Sequence, residues 1–156
     1  MRPLRFLRLV RIAFVATALA LPSAQAIGAC SIGSVSAVAF AAYDVFAISA
    51  DTGTGSFSVS GCRSGGRTYT AKLSTGFGTY STRLMRSGAN QMQYNLYKDA
   101  AYAQIWGNGT GGTVTLVNTN SGSGVGPTHT IYGRIPAGQD LPVGVYTDTI
   151  VITITF

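Results

Sequence analysis

Apolar and polar residues alternate with a period of two along much of the chain, and Gly, Ser, Asn and Pro punctuate the alternation. Ser56 to Cys62 sets Phe57 and Val59 on one side and Ser56, Ser58 and Ser60 on the other. Tyr69 to Leu73 sets Tyr69, Ala71 and Leu73 against Thr70 and Lys72, and Gln91 to Tyr97 gathers Met92, Tyr94 and Leu96 on a common face. Side chains of an extended strand point to opposite faces in turn, so each segment reads as a strand with one face buried. Val35 to Phe40, Thr113 to Val117 and Thr130 to Ile135 are further strand runs, and Asn118 to Pro127 reads as a turn or surface loop.

The clearest alternation closes the chain, from Val145 to Phe156. Ile150, Ile152, Ile154 and Phe156 share one face, and Thr149, Val151, Thr153 and Thr155 share the other. β-branched residues lose rotamer freedom in a helix and pack well on a pleated surface, so this is a half-buried strand. About seven strands with no convincing helical segment predict an all-β, two-layer sandwich of the immunoglobulin-like kind. There is no internal repeat, no linker and no second domain.

The first 26 residues stand apart. Arg2, Arg5, Arg8 and Arg11 precede an apolar run from Ile12 to Leu21, then Pro22, Ser23 and the small-x-small triplet Ala24-Gln25-Ala26. This is the layout of a secretory signal peptide, residues 1–26, cleaved after Ala26 and followed by one domain, 27–156. The apolar run is about half the length that a membrane-spanning helix needs, so no transmembrane segment is expected in the exported chain.

That division changes the meaning of the charge. Four of the 11 Lys and Arg residues leave with the leader, so seven remain against five acids, and the formal charge falls from +6 to +2. The remaining basic residues are scattered from Arg63 to Arg134, which is no clustered phosphate-binding face, and no nucleic-acid partner is expected. The two cysteines, Cys30 and Cys62, lie in the exported part, where an oxidising compartment would join them. On the chain-entropy model such a loop closure stabilises by roughly 3 to 4 kcal/mol.

Catalytic constellations are missing. The acids are Asp44, Asp51, Asp99, Asp140 and Asp148, with no Glu, and each reads as a turn former or surface residue rather than half of a carboxylate pair. The single histidine, His129, follows a Gly-rich loop and reads as a surface residue, leaving any Ser or Cys nucleophile without a base. Two cysteines and one histidine do not complete a four-ligand metal shell. Gly107-x-Gly109-x-x-Gly112 precedes a strand rather than a helix, so it is a turn and not a dinucleotide site. No enzyme activity and no cofactor are expected. Trp106 with Tyr94, Tyr97 and Tyr102 would make a carbohydrate-stacking platform if exposed, although aromatic residues at strand spacing more often build a core.

Several longer pieces carry a family resemblance: Tyr94-Asn95-Leu96-Tyr97-Lys98-Asp99, Trp106-Gly107-Asn108-Gly109, the run from Tyr132 to Gln139, and the closing Gly144 to Phe156. Phe40 to Asp44 and Val59 to Cys62 add weaker support. Together they resemble the spore coat protein U family, whose domain also forms the subunits of archaic, Csu-type chaperone-usher pili. The resemblance implies a sandwich lacking its final strand, with an acceptor groove bordered by Ile150, Ile152, Ile154 and Phe156. It implies a periplasmic pilus chaperone, an outer-membrane usher and neighbouring pilus subunits as partners, and β-strand addition as the assembly mode. The Phe156 carboxylate would then meet basic side chains of the chaperone. Export would run through the Sec pathway to the periplasm and on to the cell surface.

One departure stands out. Only Ile27, Gly28 and Ala29 precede Cys30, a reach of about 10 Å, which is too short to donate a strand. Cleavage after Ala20 would leave nine residues, but Leu21-Pro22 is a poor start because proline cannot supply a ladder hydrogen bond. The expectation is a structural or adhesive subunit that accepts a strand without donating one. The alternatives are a self-complete coat or matrix protein, and a secreted glycan-binding module.

Overall fold

The computed structural model describes residues 30–61, 67–120 and 125–156. The proposed leader and Cys62 lie outside these residues. Among the described residues there are nine strands: β1 (Ser31–Ala39), β2 (Asp51–Ser60), β3 (Arg67–Leu73), β4 (Phe77–Gly78), β5 (Arg83–Ser87), β6 (Asn90–Tyr97), β7 (Leu116–Asn120), β8 (Val125–Ile135) and β9 (Ile152–Thr155). They form a six-stranded sheet in the order β1-β2-β8-β6-β5-β4 and a three-stranded sheet in the order β7-β3-β9. All the strand pairs in both sheets are antiparallel. The described residues contain no helix, so the expected all-β sandwich is the fold found.

The period-two faces meet between the sheets. Phe57 and Val59 of β2, Tyr69, Ala71 and Leu73 of β3, Met92, Tyr94 and Leu96 of β6, and Ile131 and Ile135 of β8 are all buried. Trp106 is fully buried at the centre, its ring 5.9 Å from that of Phe57, and its indole N–H donates to the Ala71 carbonyl at 3.2 Å. Cys30 is also buried.

The six-stranded sheet curls because β1 is irregular. Between Ile32 and Val35, and again between Ser36 and Ala39, three steps along β1 face two along β2, so each interval holds an extra residue. Such bulges bend a strand and sharpen its twist. At the second bulge the β1 backbone crosses Gly55 so closely that a Cβ there would lie 2.6 Å from the Val38 nitrogen and 2.7 Å from the Ser36 oxygen. A Cβ on Gly133 would strike the side chains of Phe40 and Val38. Glycine at these positions seats the end of β1 over the inner face of the sheet, where the Phe40 ring meets that of Tyr94 edge-on.

Several sequence-based expectations need correction. Strands β4 and β5 were not expected, and the loop expected over 118–127 is shorter, because β7 runs to Asn120 and β8 begins at Val125. The closing strand is regular only over Ile152–Thr155; Thr147 forms an isolated bridge with Arg86 instead of continuing β9. His129 is not a surface residue. It faces the interior of β8, only 7 % exposed, and its Nε2 is hydrogen-bonded to the Tyr69 hydroxyl. Burial pushes the imidazole pKa down and the Tyr69 phenol up.

Candidate functional groove

The sandwich is open along one side. A cleft of about 1080 Å³ lies between the β1 edge with the segment after it and the C-terminal segment from Leu141 to Ile152. Its floor is apolar and belongs to the core: Met85 of β5, Met92, Tyr94 and Leu96 of β6, and Ile131 and Ile135 of β8. One wall runs from Val35 to Phe46 and the other contains Val143, Val145, Ile150 and Ile152. Phe46, Val143 and Val145 are strongly exposed at its rim, at 90 %, 108 % and 81 %.

The C-terminal wall has few backbone partners. Among the described residues, Thr147 alone between Leu141 and Ile150 exchanges backbone hydrogen bonds, with Arg86 at 2.8 and 3.0 Å. Most of this wall is exposed, and apart from Thr147 and the Thr149 N–H most of its backbone donors and acceptors are free to pair with a further strand.

Of the four residues assigned to the groove from the sequence, Ile150 and Ile152 line it. Ile154 packs against the core beside Ala71 in the β3–β9 pair, and Phe156, 52 % exposed, meets the Tyr69 ring edge-on. Val35 to Phe40, read from the sequence only as a strand, supplies part of the opposite wall.

Two polar devices tie wall to floor. Asp148 extends its carboxylate inward: Oδ1 accepts from the N–H groups of Phe77 at 3.0 Å and Thr149 at 2.7 Å, and Oδ2 accepts from the Tyr94 hydroxyl at 2.6 Å. Burial first, and then this bond, raise the Tyr94 pKa well above its ordinary value. Gly76, at φ +61°, makes room for that carboxylate, since a Cβ there would lie 2.0 Å from Asp148 Oδ2. Deeper in, the fully buried guanidinium of Arg83 donates to the carbonyls of Ser74 and Trp106 and to Asn95 Oδ1. Burial lowers its pKa. A buried charge is tolerated here because carbonyl dipoles replace water.

The chemistry sought in the sequence is dispersed. Asp44 binds the N–H of Phe46, Asp99 closes a loop, and Asp148 braces the groove. Trp106 and Tyr94, two of the four residues that would have made a stacking platform if exposed, are buried in the core; the loop from Asp99 to Thr113 turns Trp106 inward onto Ala71. The glycines at 107, 109 and 112 form a turn, with positive φ at Gly109 and Gly112.

Comparison with known proteins identifies the fold. The family model of the Spore Coat Protein U domain matches residues 16–153. The chain belongs to the Spore Coat Protein U domain family. It is 34 % identical over 148 residues to Protein U of Myxococcus xanthus, covering 83 % of this chain and 78 % of that protein. Among solved structures it is similar to a chain in the CsuC-CsuE chaperone-tip adhesion subunit pre-assembly complex from archaic chaperone-usher Csu pili of Acinetobacter baumannii, with a TM-score of 0.55 at 18 % identity. That match covers 82 % of this chain and 40 % of the other, so this domain spans less than half of the protein it resembles.

Proposed function

We propose that this protein is a non-enzymatic structural or adhesive subunit of a chaperone-usher surface pilus, assembled by strand addition. The observation that carries the reading is the cleft itself: an apolar floor between two extended walls, one of them short of backbone partners. A strand laid in it would pair with the C-terminal wall and place alternate side chains over Met85, Met92, Leu96 and Ile131, the mode by which sheet edges capture extended peptides. A periplasmic chaperone would supply that strand first and a neighbouring subunit would replace it, with an outer-membrane usher directing the exchange. The similarity to the Csu complex and membership of the Spore Coat Protein U domain family support this reading.

The same proposal assigns residues 1–26 as a Sec signal peptide, the periplasm and then the cell surface as the location, and a Cys30–Cys62 disulfide. The burial of Cys30, a polarisable side chain well suited to a core, supports the pairing. The test is expression of the exported chain alone, with a periplasmic chaperone, and with a strand-length apolar peptide fused beyond Phe156. The first should aggregate or oligomerise, whereas the other two should give soluble, cooperatively melting species. A stable monomer from the chain alone, unchanged by either addition, would refute the proposal.

A further inference from the structure

A second site lies on the outer face of the six-stranded sheet, away from the groove. Tyr97 of β6 and Tyr132 of β8 are cross-strand neighbours, and Tyr102 packs edge-on against both, with ring centroids 5.5 and 6.5 Å away. The Arg134 guanidinium sits 5.7 Å from the Tyr102 ring. Beside them is a recess of about 340 Å³ lined by Ser81, Thr82, Gln93, Asn95, Tyr97 and Arg134, among others. That volume is at the lower end of the usual ~300–1,000 Å³ for small-molecule sites.

The cluster is held in place at some conformational cost. Tyr102 has φ +56°, and among the described residues no other non-glycine has positive φ. The strained position is enforced by Asp99, whose carboxylate accepts the N–H groups of Ala101 and Ala103 at 3.1 Å and Gln104 at 2.8 Å, while its carbonyl accepts the Tyr102 N–H at 3.2 Å. These bonds, the one from Ala103 foremost, depress the Asp99 carboxyl pKa. A backbone outlier that its surroundings over-determine points to function. The groups so displayed are unused: among the described residues the hydroxyls of Tyr97, Tyr102 and Tyr132 and the Arg134 N–H groups have no hydrogen-bond or ion-pair partner.

We propose that this face binds a carboxylated saccharide, a uronic-acid unit of an acidic glycan. Aromatic faces, which carry the negative lobe of the ring quadrupole, accept the C–H faces of a pyranose, and the phenols with Ser81, Thr82 and Gln93 meet its hydroxyls. Arg134 is the carboxylate receptor, since a planar guanidinium matches a carboxylate with two parallel hydrogen bonds. No acidic side chain lines the recess, and the nearby Asp99 is committed to backbone N–H groups, so no carboxylate among the described residues competes for the exposed guanidinium.

The test is calorimetric or NMR titration of the full chain with tetragalacturonate and with a neutral galactose oligomer of equal length. The acidic oligomer should bind saturably and more tightly than the neutral one. Arg134→Gln should weaken it by about 10- to 100-fold, the range for a hydrogen bond to a charged group, with Arg134→Lys intermediate. Tyr102→Gly removes the ring while suiting the positive φ, so it should abolish binding without lowering the melting temperature. Absence of saturable binding, indifference to Arg134→Gln and Tyr102→Gly, or equal binding of the neutral oligomer would each overturn the assignment. Because the two sites occupy opposite faces, failure here leaves strand addition standing, and failure of strand addition leaves this site standing.

Discussion

Asp148 joins the C-terminal wall of the groove to its floor, and its removal should show how much that brace contributes. In Asp148→Ala, the Tyr94 hydroxyl loses its acceptor at 2.6 Å in a site where the residue is only 5 % exposed. A buried donor left unsatisfied costs about 1–3 kcal/mol, and the Phe77 and Thr149 N–H groups, which can turn to water, add roughly 0.5–1 kcal/mol. The expected loss is therefore about 2–4 kcal/mol, a large part of a domain's ~5–15 kcal/mol. Tyr94→Phe takes away the donor while the carboxylate keeps its two backbone partners, and should cost only about 1 kcal/mol. With both changes no unsatisfied group remains, so the double variant should be no less stable than Asp148→Ala, giving an interaction energy of about 1–2 kcal/mol. Urea unfolding of the four proteins in the strand-completed form measures the cycle, with m-values checked for constancy. Strict additivity, or an Asp148→Ala variant within about 0.5 kcal/mol of the parent, would refute the claim that this carboxylate anchors the wall.

Arg83→Met leaves the buried carbonyls of Ser74 and Trp106 without their donor, while Asn95 Oδ1 keeps the Leu96 N–H, and should destabilise by about 3–5 kcal/mol in the same unfolding assay. Gly55→Ala forces a Cβ into the β1 backbone and should cost about 1–3 kcal/mol, with faster amide exchange confined mainly to residues 36–39. His129 has a folded-state pKa below its ordinary 6.5, so the unfolded chain takes up its proton first. Its contribution is fully present above pH ~6.5 and is lost as the pH falls toward the depressed folded value, a slope that His129→Gln should remove from a melting-temperature profile.

Strand positions and faces were legible wherever one neighbour on each side decides burial. Phe57, Val59, Tyr69, Ala71, Leu73, Met92, Tyr94 and Leu96 all sit where period-two alternation puts them. The pattern was silent for β4, two residues long, and for β5, where the buried Arg83 breaks the hydrophobic code. Burial of Ser58 was also invisible: it is covered because the Ser34 amide and hydroxyl, 24 residues away, bond to its side chain. The aromatic residues divided by a rule that only tertiary structure supplies. Trp106 and Tyr94 went inward, whereas Tyr97, Tyr102 and Tyr132 cluster outside. Of the groove, the alternation from Ile150 onward marked part of one wall. The opposite wall depends on two bulges and on Gly55 and Gly133, which no periodicity predicts.

The most direct measurement of strand addition is residue-resolved amide exchange across 143–150, with the groove open and with a strand fused beyond Phe156. The account predicts rapid exchange at these amides, apart from the hydrogen-bonded Thr147 and Thr149, in the open chain and strong protection once the strand is present, with little change in β8. Amides over 143–150 other than Thr147 and Thr149 that are already protected in the open chain, or that stay unprotected when a strand is supplied, would contradict it.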